Sequence, residues 1–157
     1  MGRILRQRIK QTRFDSPAHE AVLNLLVAAA HVRQLVDEAV GAYGLTQAQF
    51  NVLRILRGAH PGGYPRGEIA TRMIDRAPDV TRLIDRLERQ GLVERARSGA
   101  DRRQSMAVIT GQGLDLLSRI DPAVTRAQKV IGRRLSANDL RQLSRICERI
   151  YGPAAQS

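Results

Sequence analysis

Apolar residues recur at three- and four-residue spacings along most of this chain, and the interruptions fall at glycine, proline and capping side chains. Ser16-Pro17 offers an N-cap and a first-turn proline. Val22, Leu25, Leu26, Ala29, Val32, Val36 and Val40 then form a single stripe that Gly41 and Gly44 close. About 25 residues at 1.5 Å each predict a helix of roughly 38 Å, a length that suggests packing on a partner chain. Thr46 and Gln49 make a capping box for a second helix, buried through Phe50, Leu53, Ile55 and Leu56 and ended in a loop by Gly58 and the run from His60 to Pro65. A short third helix is predicted from Gly67 to Ile74. Pro78 fits the first position of a fourth, with Val80, Leu83, Ile84 and Leu87 as its apolar face and Gly91 as its stop.

The period then changes. Leu92 to Ala96 and Ser105 to Ile109 read as two strands, joined by a segment with turn-forming Ser98, Gly99 and Asp101. Thr110 caps a helix carrying Leu114, Leu117 and Ile120, which Pro122 either kinks or restarts. Ser136 and Asp139 begin the last helix, with Leu140, Leu143, Ile146, Cys147 and Ile150 on one side and Gly152-Pro153 as its end. Residues 1–15 read as a basic arm bearing Arg3, Arg6, Arg8, Lys10 and Arg13. The expected fold class is mainly α with a small two- to three-stranded β wing.

At 157 residues the chain has room for one domain. Its 43% hydrophobic and 26% charged residues suit a folded soluble protein. Charge is the outlier. The formal net charge is +11 and the pI about 11.3, which points to an anionic partner. Only Lys10 and Lys129 are lysines, so 24 of the 26 basic residues are arginines, whose planar fork matches phosphate and guanine. A lone Cys147 excludes an intrachain disulfide framework or a four-cysteine zinc site. The longest apolar stretch, Ala21 to Ala30, stops at His31 and Arg33, too short to span a bilayer. No signal-peptide core follows the basic N-terminus. The expectation is an intracellular protein of a reducing compartment, with no membrane partner, no cofactor and no metal.

Two short helices, the second apolar on one side and arginine-bearing on the other, followed at once by a two-stranded ribbon with a basic tip, describe a winged helix-turn-helix. On the outer face of the fourth helix fall Arg82, Asp85 and Arg89, flanked by Thr81 and Arg86. Such a helix fits a major groove and can offer Thr81 and Arg82 to base edges, with Arg86 beside them. Arg66, Arg72, Arg76 and Arg97 are expected on phosphates, and Arg102 at the ribbon's tip in the narrower minor groove. The same charges also suit a solvated surface laced with ion pairs.

The stretch from Tyr43 to Leu53, the segment Val80 to Glu88, the glycine-led strand Gly91 to Arg95 and the Asp101-Arg102-Arg103 run before Ile109-Thr110 together resemble the MarR family of bacterial transcription regulators. The resemblance covers about residues 16–151. It implies an obligate homodimer whose first, fifth and sixth helices interlock. Residues 1–43 and 111–157 would be dimerisation helices and 46–110 the DNA-binding lobe. Val22, Leu25, Leu143, Ile146 and Ile150 are the expected interface residues. By the family pattern Asp101 and Arg103 form a structural ion pair in the wing. The Gly62-Gly63-Tyr64-Pro65 segment departs from the pattern, and Ser98-Gly99-Ala100 lacks a proline often present there. Family members commonly respond to small aromatic or phenolic acids, for which His31, Arg54 and Arg57 are the candidate contacts here. Oxidation of Cys147 is a poorer route, because a thiol on an apolar helix face is usually buried and inert.

The resulting expectation is a homodimeric repressor on a pseudo-palindromic double-stranded DNA operator, released by a small-molecule effector. A non-specific basic duplex-DNA-binding architectural protein is the alternative. Catalysis is not expected: His19, His31 and His60 lack metal-protease spacing, no glycine-rich phosphate loop follows a strand, and the acidic residues alternate with arginines. Single-strand binding usually needs more aromatic stacking than Phe14, Phe50, Tyr43, Tyr64 and Tyr151 supply.

Overall fold

The computed structural model describes residues 2–75, 79–97 and 105–152. In chain order it contains α1 (Arg3–Ile9), α2 (Pro17–Gly41), α3 (Gln47–Ala59), β1 (Tyr64–Pro65), α4 (Arg66–Arg72) and α5 (Val80–Arg89). These are followed by β2 (Val93–Arg97), β3 (Ser105–Ile109), α6 (Gly111–Gly132) and α7 (Ala137–Tyr151). The architecture is mainly α with a small three-stranded antiparallel sheet in the order β1-β3-β2.

The caps fall where the side chains place them. Ser16 accepts from the His19 N–H with Pro17 in the first turn of α2, and the Thr46–Gln49 capping box opens α3. Thr110 Oγ1 accepts from the Gly113 N–H at 3.1 Å and donates to the Gly91 carbonyl at 2.7 Å, joining the start of α6 to the end of α5. Ser136 and Asp139 form a reciprocal box at α7. The Ser136 hydroxyl first, and its N–H second, hold the Asp139 carboxyl below the usual carboxylate range.

Leu53, Leu56, Ile69, Leu87, Ile109, Leu117 and Ile120 are fully buried in one core built by α3, α4, α5, the sheet and α6. Removing each such side chain from water contributes about 1.5–3 kcal/mol. The C-terminal end of α2 joins this core through Val36, Ala39 and Val40, and α2 packs along α6. Tyr43 Oη, donating to the Arg119 carbonyl at 2.9 Å, ties the two further.

Four features go beyond or against the expectations. First, residues 3–9 of the basic arm are helical, with Ile4, Leu5 and Ile9 interrupting the charges and Leu5 buried to 3% exposure. Leu5 and Asn24 of α2 share a cleft, and Phe14 sits under the Arg6 guanidinium at 5.5 Å. Second, α5 begins at Val80 with Asp79 as its N-cap, so Pro78, itself outside the described residues, does not take the first helical position. Third, Pro122 does not restart a helix, because α6 runs on through it. Fourth, the loop before α4 contains a strand: Tyr64 pairs with Ala107 and Pro65 with Met106. Gly63 makes that possible. Its φ of +74° is open to glycine, and a Cβ there would collide with the Ala107 carbonyl oxygen.

Candidate nucleic-acid interface

Helix α5 is amphipathic by construction. Val80, Leu83, Ile84 and Leu87 are buried, so the remaining positions must face outward. Arg82, Arg86 and Arg89 are exposed. The Asp79 carboxylate accepts from the Arg82 N–H and also lies 3.3 Å from Arg82 Nε, yet the Arg82 side chain is 80% exposed. It is a cation tethered at the helix start and still free to meet an outside partner.

Arg66, the first residue of α4, donates from Nη1 to Thr81 Oγ1 at 3.1 Å. That bond brings together two residues expected to share DNA contact, at the mouth of a cleft of about 410 Å³ also lined by Ile84, Arg95 and Ala107. Arg72 is held more tightly than the sequence indicated. Its Nη2 lies 2.6 Å from Glu68 Oε1 and its guanidinium stacks 4.4 Å above the Tyr64 ring. A phosphate would have to compete with Glu68 for it. Arg76, Asp101, Arg102 and Arg103 lie outside the described residues, and the side chain of Arg97, the last residue of β2, is likewise not among those described.

Sequence reasoning missed Arg95. From β2 it reaches across to α5, donating from Nε to Glu88 Oε2 at 2.9 Å and from Nη2 to Asp85. Asp85, expected on the solvent-facing side of the helix, is half-buried and serves this clamp between helix and sheet. The available signal was a pair of carboxylates one turn apart, followed just past a glycine stop by a strand carrying arginine.

The effector candidates do not converge. His31 is half-buried on α2; Arg54 lies 5.8 Å above the ring of Phe50; Arg57 Nη1 donates to Asp121 Oδ2 of α6 at 2.7 Å. Neither of the two clefts noted here, formed by described residues, is lined by any of them. The expected interface residues share an outward setting instead. Val22 is exposed, Leu25 half-buried, and Leu143 and Ile150 are 45% and 61% exposed. Ile146 is exposed with them, and α7 has no buried residue. Cys147 is half-buried rather than buried. Among the described residues no cluster of histidine, cysteine and carboxylate groups could hold a metal ion, and no helix is long and apolar enough to cross a membrane.

The MarR family model matches residues 45–105. The chain is similar to a crystallised MarR transcription factor from Planctomyces limnophilus, at 38% identity over 87% of this chain and 98% of that one, with a TM-score of 0.66. It shares its fold with Staphylococcus aureus MepR in a DNA complex, at 20% identity, 80% and 92% coverage and a TM-score of 0.72. Among curated relatives, the Escherichia coli homoprotocatechuate degradative operon repressor is 28% identical over 69% of this chain and 72% of its own length.

Proposed function

This chain belongs to the MarR family of transcription regulators, and on that premise we propose that it is a homodimeric repressor reading a pseudo-palindromic duplex operator through α5. The observation that carries this reading is the contrast on α5 itself: four apolar side chains buried, and Arg82 tethered but exposed at the end that enters a major groove. Thr81 and Arg82 are the base-reading pair, with Arg86 beside them, and Arg66 holds Thr81 in place. Arg72, Arg76 and Arg97 supply phosphate contacts and Arg102 the minor-groove contact, with Asp101 and Arg103 bracing the wing.

Residues 46–110 form the DNA-binding lobe, and the helices within 1–43 and 111–157 form the dimer. Exposed apolar side chains on α2 and α7 support that division. A dimer places two copies of α5 about one helical turn apart, so each binds one half-site. A small aromatic or phenolic acid bound between the dimerisation helices and the DNA-binding lobe, with His31, Arg54 and Arg57 as the candidate contacts, would change that spacing and release the operator. Engaging Arg57 requires displacing Asp121. The name of the homoprotocatechuate operon repressor supports both the repressor role and the aromatic effector class. A bacterial cytoplasmic protein acting at the nucleoid follows from this reading.

Selection of duplexes by the purified protein from a random pool at near-physiological salt tests it. One palindromic motif bound by one dimer is the expected result. A pool that never narrows would favour non-specific duplex binding, which responds to salt but not to sequence.

A further inference from the structure

The turn that feeds α5 is held from outside the helix-turn-helix. Met73 is buried at the end of α4, but the next residue, Ile74, is 81% exposed and gives the chain no apolar anchor at that position. Two polar tethers hold it there instead. Asn51, in the first half of α3, accepts from the Ile74 N–H at 3.0 Å through Oδ1. Arg33, past the middle of α2, donates from Nη1 to Asp75 Oδ2 at 3.1 Å. Both tethers lie within five residues of the Asp79 cap of α5.

We propose that Arg33 and Asn51 are positioning residues for sequence reading, fixing the angle at which Thr81 and Arg82 meet the duplex, and that Arg33 passes movements of α2 to α5. This rests on the reading of α5 as the recognition helix. The Arg33–Asp75 pair is half-exposed on both sides, so its contribution to overall stability is small. Its consequence is geometric. Arg33 neighbours Val32, one of the exposed apolar residues of α2, so a partner chain or ligand that shifts this part of α2 also moves Asp75.

A charge-swap cycle tests the proposal with two readouts. The first is the ratio of operator to random-duplex affinity, which cancels the non-specific effect of changing net charge. Arg33→Glu and Asp75→Arg should each lower that ratio by about fivefold, the scale of one good surface ion pair, and the double variant should restore it to within about twofold. The second readout needs no DNA: amide hydrogen exchange at Ile74 and in the first turn of α5 should rise about fivefold in each single variant and fall back in the double. Asn51→Leu should behave like the single swaps, whereas Asn51→Asp keeps the acceptor and should retain the wild-type ratio. Failure of the double swap to restore either readout, or faster exchange spread over the whole core, overturns the positioning role. A wild-type protein that selects no sequence removes the reading of α5 instead, and local exchange in the free protein then decides on its own whether Arg33 holds the turn.

Discussion

Helices α5 and α7 carry similar apolar patterns and meet opposite fates. In α5 the residues Val80, Leu83, Ile84 and Leu87 disappear into the core. In α7 the residues Leu143, Ile146, Cys147 and Ile150 repeat that spacing, and none of them is buried. Periodicity therefore specifies a face, and only topology decides what covers it. Short connections return α5 onto α3 and α4, whereas α7 leaves the end of α6 without meeting the lobe's core. Its apolar side is left uncovered by the rest of the described residues.

The largest effect should come from treating the two regions alike. Leu53→Ala, in the fully buried lobe core, should cost about 2–5 kcal/mol of protomer stability, measured by denaturant unfolding. Leu143→Ala should change protomer stability by less than about 0.5 kcal/mol and weaken the dimer instead, read by sedimentation across a dilution series. Equal losses of protomer stability would erase the distinction. Next in size, Arg82→Ala should lower discrimination between operator and mutated sites by about 1–3 kcal/mol while leaving the thermal midpoint in place. Unchanged discrimination in binding assays would move base reading elsewhere on α5.

Smaller is the Arg57–Asp121 pair, which joins the lobe to α6. Both groups are partly exposed, so a double-mutant cycle should return about 0.2–1 kcal/mol of coupling. The smallest effect concerns α7. Because Asp139 titrates below its ordinary range, its capping contribution is present above the unfolded carboxylate pKa and is lost as pH falls through the lowered folded value. NMR of the first α7 amides during an acid titration should show that turn fraying, and Ser136→Ala, which removes the hydroxyl but keeps the backbone N–H, should reduce the pH dependence without abolishing it.

How legible the molecule was in its sequence follows the range of each interaction. Ser16, Thr46, Thr110 and Ser136 act on amides three residues away, so their caps were readable from spacing alone. Strand β1 was read as a loop because two residues have no period, and its partner Ala107 lies far along the chain. In the candidate interface the exposed arginines of α5 followed directly from its apolar face. The roles of Asp85, Arg72 and Arg95 did not, since each depends on which opposite charge the fold brings near. Arg33 and Asn51 were invisible for the same reason: their partners lie 42 and 23 residues downstream.

The strand order has a consequence for solubility. Met106, Ala107, Val108 and Ile109 form the most apolar strand, and the sheet sets it in the middle, paired along its length to β2 and at Met106 and Ala107 to β1. The outer strands are poor templates for a stray chain: β1 is two residues long and its Pro65 has no N–H to offer, while β2 carries Glu94 and Arg95. Neither outer strand of the described sheet therefore invites edge-to-edge β-pairing between crowded copies.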